Sequence, residues 1–200
     1  MLSRPSPLVS AALALTLTLA GCASESSEGA DAALRDSAVA AAPTPQPDLG
    51  EPGARATVHD TAGRTVGTAT LHETPSSGVL VRLRLTDAEP GSHAFHFHST
   101  GSCEPDFMAA GGHFNAGGGS HGILNPDGRH TGDLPNVHVP ASRALVMDVL
   151  APGVTLEEER TGTLFDDDGS AIMLHQGPDP YTRPPRGADG ERMACGVITR

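Results

Sequence analysis

The chain has 200 residues, a formal charge of −11, one tyrosine, five phenylalanines and no tryptophan. So acidic a surface excludes a nucleic-acid binder, which needs basic patches. Against this shortage of aromatic rings stand ten histidines and three cysteines, a surplus that points to metal and thiol chemistry.

The N-terminus sets the compartment. Arg4 precedes an apolar run from Leu8 to Ala20, which falls short of the ~20 apolar residues of a spanning helix and has the shape of an export signal. It ends in Leu19-Ala20-Gly21-Cys22, which resembles the lipobox of bacterial lipoproteins. That resemblance implies a signal peptide over 1–21, a lipid on the Cys22 thiol, and an exported protein tethered to the outer face of the cell membrane. Residues 22–53 are Ala, Ser, Pro, Gly and acidic groups with scarcely any large apolar side chain. Such a segment cannot bury enough surface to offset its ordering entropy, so it reads as a flexible tether. Residues 54–200 then form one domain of ordinary size. With Cys22 lipidated, Cys103 and Cys195 remain as a pair, and export permits a disulfide between them.

In chain order, 56–73 reads as a hairpin turning around Asp60–Gly63. The run 81–85, VRLRL, alternates strictly, with Val81, Leu83 and Leu85 on one face and Arg82 and Arg84 on the other. Strand composition returns at 144–150 and 171–175, with Gly, Pro and Asp between the runs. No sustained helical stripe appears after the signal. The pattern predicts an all-β antiparallel sandwich or flattened barrel. From Ser99 to Pro140 no strand-like run is evident; the segment is Gly, His, Asn, Pro and Asp and holds four of the ten histidines. A loop of that length inside a compact domain is functional or disordered, and the histidines favour function.

His96 and His98 sit two apart in AFHFHSTGSC. On a strand their imidazoles share one face, with Phe95 and Phe97 on the other, which suits a transition metal backed by apolar packing. GGHFNAGGGSHG adds His113 and His121, and GRHTGDLPN adds His130 and Asp133. Three nitrogens and a carboxylate make a tetrahedral zinc set. His175 closes IMLHQ downstream, and two near plus two distant imidazoles suit copper. Six histidines and an aspartate for two metals require either a shared histidine or one site with three ligands.

Four stretches, HAFHFH (93–98), GGHFN (111–115), HTGDLPN (130–136) and RMACGVI (192–198), resemble the copper/zinc superoxide dismutase family, and the likeness runs from about residue 56 to 198. The resemblance implies a Greek-key β-barrel with long metal-bearing loops. It makes His96, His98, His113 and His175 copper ligands and His113, His121, His130 and Asp133 zinc ligands, with His113 bridging the ions as an imidazolate. It makes Asp179 the carboxylate linking a ligand from each metal, Cys103–Cys195 the disulfide, and Arg192 the catalytic cation beside copper, with His113 the other catalytic group. The family also often carries a histidine at the place of His93, where it ties loop to strand. Ala94 and Ser99 depart from common family residues, and 179–192 is shorter than in animal-type members, leaving Arg183 and Arg186 as candidates to guide substrate.

The activity so implied is dismutation of superoxide to dioxygen and hydrogen peroxide, with copper and zinc as cofactors, in extracytoplasmic defence. The partners are superoxide and a lipid anchor, with no nucleic acid, and a homodimer is open because family members pair or remain single. The competing reading is a copper-binding or copper-delivery protein on the same fold, and a further one is a copper-only enzyme, against which His121, His130 and Asp133 argue. Asp166–Gly169, Glu157–Glu159, His59, His72 and His138 match no ligand position and read as solvated or structural groups.

Overall fold

A computed structural model describes residues 45–76, 78–182 and 190–200. The signal segment, Cys22, the tether as far as Thr44, and Arg183 and Arg186 lie outside the described residues. Residues Pro47–Arg200 form one compact unit.

Eight antiparallel strands make a single sheet: β1 (Ala54–Asp60), β2 (Thr65–Glu73), β3 (Val79–Leu85), β4 (Gly91–His98), β5 (Asp133–Val139), β6 (Leu145–Ala151), β7 (Ala171–His175) and β8 (Arg192–Val197). Their order is β5-β4-β7-β8-β1-β2-β3-β6, a sheet curled into a nearly closed barrel, as the strand pattern led one to expect. β6 returns beside β3 and β7 beside β4, the long-return connectivity of Greek keys. The hairpin read from 56–73 is present as β1–β2, turning on Asp60, whose carboxylate accepts from the Ala62 and Arg64 N–H groups at 2.9 Å each.

The core forms because alternate residues of each strand turn inward. In β3, Val79, Val81, Leu83 and Leu85 are buried, and Arg82 stands outside, donating from Nε and Nη2 to the Asp148 carboxylate of β6 at 2.7 and 2.8 Å. β7 is buried along its whole length, because loops cover its outer face as well. One strand contradicts the sequence reading: β5 lies within 99–140, where no strand was expected. Its buried apolar residues are spaced Leu134, Val137, Val139. The period of two is broken because Pro135 and Asn136 together face Ala94 across a bulge in the β4–β5 pairing.

Register assigns the two faces of the wall. Phe95 and Phe97 pair with Leu174 and Ile172, all fully buried in the main core. His96 and His98 pair with Met173 and Ala171, and directly opposed residues share a face. The histidines therefore lie on the outer surface of the barrel wall, with the phenylalanines packed behind them, as expected.

Cys195 pairs with Met173 on that same outer face and is bonded to Cys103. The disulfide pins the loop 99–112 over a small apolar cluster of Ala110, Ala171 and Met173, flanked by Phe107. A single 3-10 turn, Phe107–Ala110, is started by the Asp106 side chain, which accepts from the Met108 N–H at 2.9 Å.

Candidate metal centre

Two nests of four donors stand on the outer face of β4, and they share His113. The first is His96 and His98 from β4, His175 from the end of β7, and His113, which a backbone bridge holds against His98. The second is His113, His121, His130 and Asp133 at the start of β5. In each nest the donor atoms lie within 4.8 Å of one another. The structure thus brings together all seven predicted donors and places His113 in both groups.

In the second nest, Asp133 Oδ1 lies 2.9 Å from His113 Nδ1 and 3.4 Å from both His121 Nδ1 and His130 Nδ1. His121 Nδ1 and His113 Nδ1 face each other at 3.2 Å. Tetrahedral ligands with bonds of about 2.0–2.1 Å sit about 3.3–3.4 Å apart, so the donors already describe the edges of such a tetrahedron. His130 Nδ1 is buried with no hydrogen-bond partner, although the carboxylate is near. Imidazole nitrogens converging on one point in this way fit a cation.

The first nest is drier. His96 and His98 are fully buried, and the His96 and His113 rings stand 4.0 Å apart between centroids. His98 Nδ1 lies 3.1 Å from the Gly111 carbonyl, so that nitrogen carries the proton and Nε2 keeps its lone pair. Nε2 is buried without a hydrogen-bond partner, an expensive state unless a cation takes it. Burial, followed by the charges of His113, Arg192 and His175, pushes His98 down to about 2, and burial also lowers His113 against its contact with Asp133. Neutral imidazoles are what a metal requires. An all-imidazole set suits copper, and a set with a carboxylate suits zinc.

Asp179 joins the nests. Its Oδ2 meets His96 Nε2 and its Oδ1 meets His121 Nε2, each at 3.1 Å, which fixes both rings with Nδ1 turned inward. Contacts with Asp133 and then Asp179 push His121 up to about 10 despite burial. Burial would raise both carboxyls. The three histidines and the Gly122 N–H hold Asp133 far below the usual carboxylate range, and His121, His96 and the Tyr181 N–H do the same for Asp179.

The surroundings hold the donors from behind. The ring nitrogens of His93 face the His175 carbonyl at 2.9 Å and the Glu89 carbonyl at 2.8 Å, so it ties loop to strand as the resemblance implied. Arg192 donates to the Phe107 carbonyl at 2.5 Å and the Gly111 carbonyl at 2.6 Å, both in the disulfide loop. It is a fixed, half-buried cation near enough to His98 to depress that ring. His59, His72 and His138 belong to neither nest.

Sequence reasoning missed four supports. Arg129 binds the carbonyls of Asp133, His130 and Thr131 at 2.7, 3.1 and 3.2 Å and that of Pro152 at 3.0 Å; its only signal was its place beside His130. Asn136 brackets Asp179 from both sides, and Tyr181 donates its N–H to the Asp179 carboxylate at 2.7 Å. Gly122 is required where it stands: its φ is +109°, and a Cβ there would meet the carbonyls of Thr182 and Tyr181 at 2.5 and 2.6 Å.

A Greek-key barrel carrying two donor nests on its outer wall, joined by one imidazole, defines a protein built for a pair of unlike metal ions. The family model of copper/zinc superoxide dismutase matches residues 65–198. The chain belongs to that family. It is 44% identical over 147 residues to superoxide dismutase [Cu-Zn] 2 of Aquifex aeolicus, covering 72% of this chain and 85% of the relative. Among solved structures, a superoxide-dismutase-like protein from Bacillus subtilis superposes with a TM-score of 0.68 at 34% identity, covering 72% of this chain and 96% of that one. The copper/zinc superoxide dismutase of Brucella abortus gives 0.59 at 31% identity, covering 72% and 98%.

Proposed function

We propose that this chain dismutates superoxide, two anions and two protons giving dioxygen and hydrogen peroxide. His96, His98, His113 and His175 would hold copper, and His113, His121, His130 and Asp133 would hold zinc. The observation that carries the reading is His113 standing in both complete nests. When bound, copper supplies reversible one-electron exchange and zinc a redox-inert positive charge.

The chain's own residues do the rest. Arg192, held on two carbonyls, presents a fixed positive charge beside the first nest and binds the incoming anion there. Attraction comes from this local field, because the chain as a whole is acidic. His113 Nδ1 faces Asp133 and His121, which leaves Nε2 for the first nest. A proton held at that Nε2 is placed for delivery to the reduced oxygen. Asp179 keeps the rings of His96 and His121 in the orientation that offers Nδ1, and the buried wall of β4 and β7 keeps bulk water from behind the site.

The test is superoxide decay after a radiolytic pulse, on the full chain loaded with copper and zinc. Catalytic decay that vanishes when copper is removed supports the enzyme. Full loading without turnover would replace it with a copper-binding or copper-delivery protein.

The place of action is a further part of the proposal. Cys22 carries the lipid, the segment between it and the compact unit that begins at Pro47 serves as the tether, and the domain works outside the cell membrane, where superoxide that crosses membranes poorly would meet it. The Cys103–Cys195 disulfide supports export, because such bonds persist in oxidising compartments. Mass analysis of the mature N-terminus tests the anchor, and a free Cys22 thiol would exclude it. A homodimer is the other partner this reading carries; sedimentation of the metal-loaded chain tests it, and a monomer alone would exclude it.

A further inference from the structure

We propose that Tyr181 is a positioning residue for both nests, acting through Asp179; this rests on the reading of the nests as metal sites. The chain of contacts begins at the β4–β5 bulge, where Pro135 and Asn136 together face Ala94. Pro135 has no N–H to lose, and the Ala94 N–H turns to the Gly177 carbonyl at 2.8 Å. The bulge thereby takes the Asn136 N–H out of the ladder and re-aims its side chain. The Tyr181 hydroxyl accepts that N–H at 2.6 Å.

Asn136 in turn grips Asp179 by its backbone. Its Oδ1 accepts from the Asp179 N–H at 2.8 Å and its Nδ2 donates to the Asp179 carbonyl at 2.9 Å. From the other side the Tyr181 N–H donates to Asp179 Oδ1 at 2.7 Å, the same oxygen that meets His121 Nε2. Tyr181 thus closes a ring of hydrogen bonds around the one carboxylate that orients a ligand in each nest. Its carbonyl also accepts from the Leu124 N–H at 2.7 Å, binding the loop that carries His121.

The backbone supports a role for the side chain. Tyr181 has φ +63°, a conformation that glycine adopts freely and a bulky residue does not. Such strain persists only where the surroundings over-determine it. Here the side chain contributes what glycine lacks, an oxygen for the Asn136 N–H.

The experiment measures zinc affinity of the full chain by chelator competition, together with melting of the metal-free protein. Four forms are compared: wild type, Tyr181→Phe, Asp179→Asn and the double variant. Phenylalanine keeps the ring and the backbone bonds and removes the hydroxyl alone. Outer partners of metal ligands typically change affinity about 10–100-fold, and for Tyr181→Phe we expect the lower end, about tenfold. Metal-free melting is expected to hold, and in the Asp179→Asn background the second change should weaken zinc no further, because coupled residues do not add. The Cu(II) spectrum of Tyr181→Phe should shift too, since His96 hangs on the same carboxylate.

Three results would overturn the inference alone: unchanged zinc affinity in Tyr181→Phe, the same loss in both backgrounds, or a loss matched by a fall in metal-free melting. A wild-type chain that does not bind zinc would overturn the reading of the site, and this inference with it.

Discussion

Replacing both Cys103 and Cys195 with alanine tests how the metal-bearing loop is held. The bond joins residues 92 apart, and in the chain-entropy account closing a loop of that length stabilises the fold by about 4–5 kcal/mol. Alanine is the right replacement because Cys195 is buried and a serine hydroxyl there would need a partner. For a chain of this size each kcal/mol moves the melting temperature by about 2–4 °C, so the metal-free variant should melt about 8–20 °C lower. Metal must be absent, since ions that bind only the folded state would mask the difference. Activity should also change, because the Phe107 and Gly111 carbonyls that hold Arg192 lie in the loop the bond pins. The copper- and zinc-loaded variant should therefore react with superoxide more slowly at low salt. Scanning calorimetry and pulse radiolysis are the assays. A variant that melts within a few degrees of the parent and keeps its rate would refute the reasoning, and would show that the packing of Phe107, Ala110 and Met173 holds the loop unaided.

Replacing His113 with alanine should reduce binding of copper and zinc together, read by metal analysis after dialysis; loss of one ion alone would break the assignment of a shared imidazole. Arg192→Ala should lower the rate constant and flatten its fall with rising salt, and a salt dependence equal to the parent's would remove Arg192 from substrate capture. The bonds from Arg82 lower the pKa of Asp148, more than partial burial and the nearby charges change it. A carboxyl depressed in the folded state stabilises above its unfolded value, near 3.9, and loses that contribution as pH falls through the folded value. Acid unfolding of the metal-free protein should therefore show a loss of stability below about pH 4 that is reduced in Asp148→Asn. Identical acid profiles would show that this outer-face pair contributes nothing.

Much of the site was legible because its signals are local. The alternation of Phe95, His96, Phe97 and His98 states both the strand and its two faces, and the glycines around His113 and His121 mark a loop free to bend toward it. β7 was found by composition alone, since burial on both sides removes alternation. β5 was hidden for a definite reason: the bulge at Pro135–Asn136 shifts inward residues from a spacing of two to three. Asn136 and Tyr181 were hidden for another. They are 45 residues apart, and no local pattern records that one's amide meets the other's hydroxyl. Arg192 was found by resemblance, but its grip on two carbonyls of the disulfide loop belongs to the fold.

The separation of the two faces of β4 has a consequence for how the protein is assembled. None of the seven donors belongs to the main apolar core, so that core can close, and the sulfur bridge can form, in a chain that has met no ion. Folding and charging are then successive events, and the charging step can wait. The metals the finished molecule carries are then decided by what surrounds the folded barrel, not by what surrounds the chain as it folds.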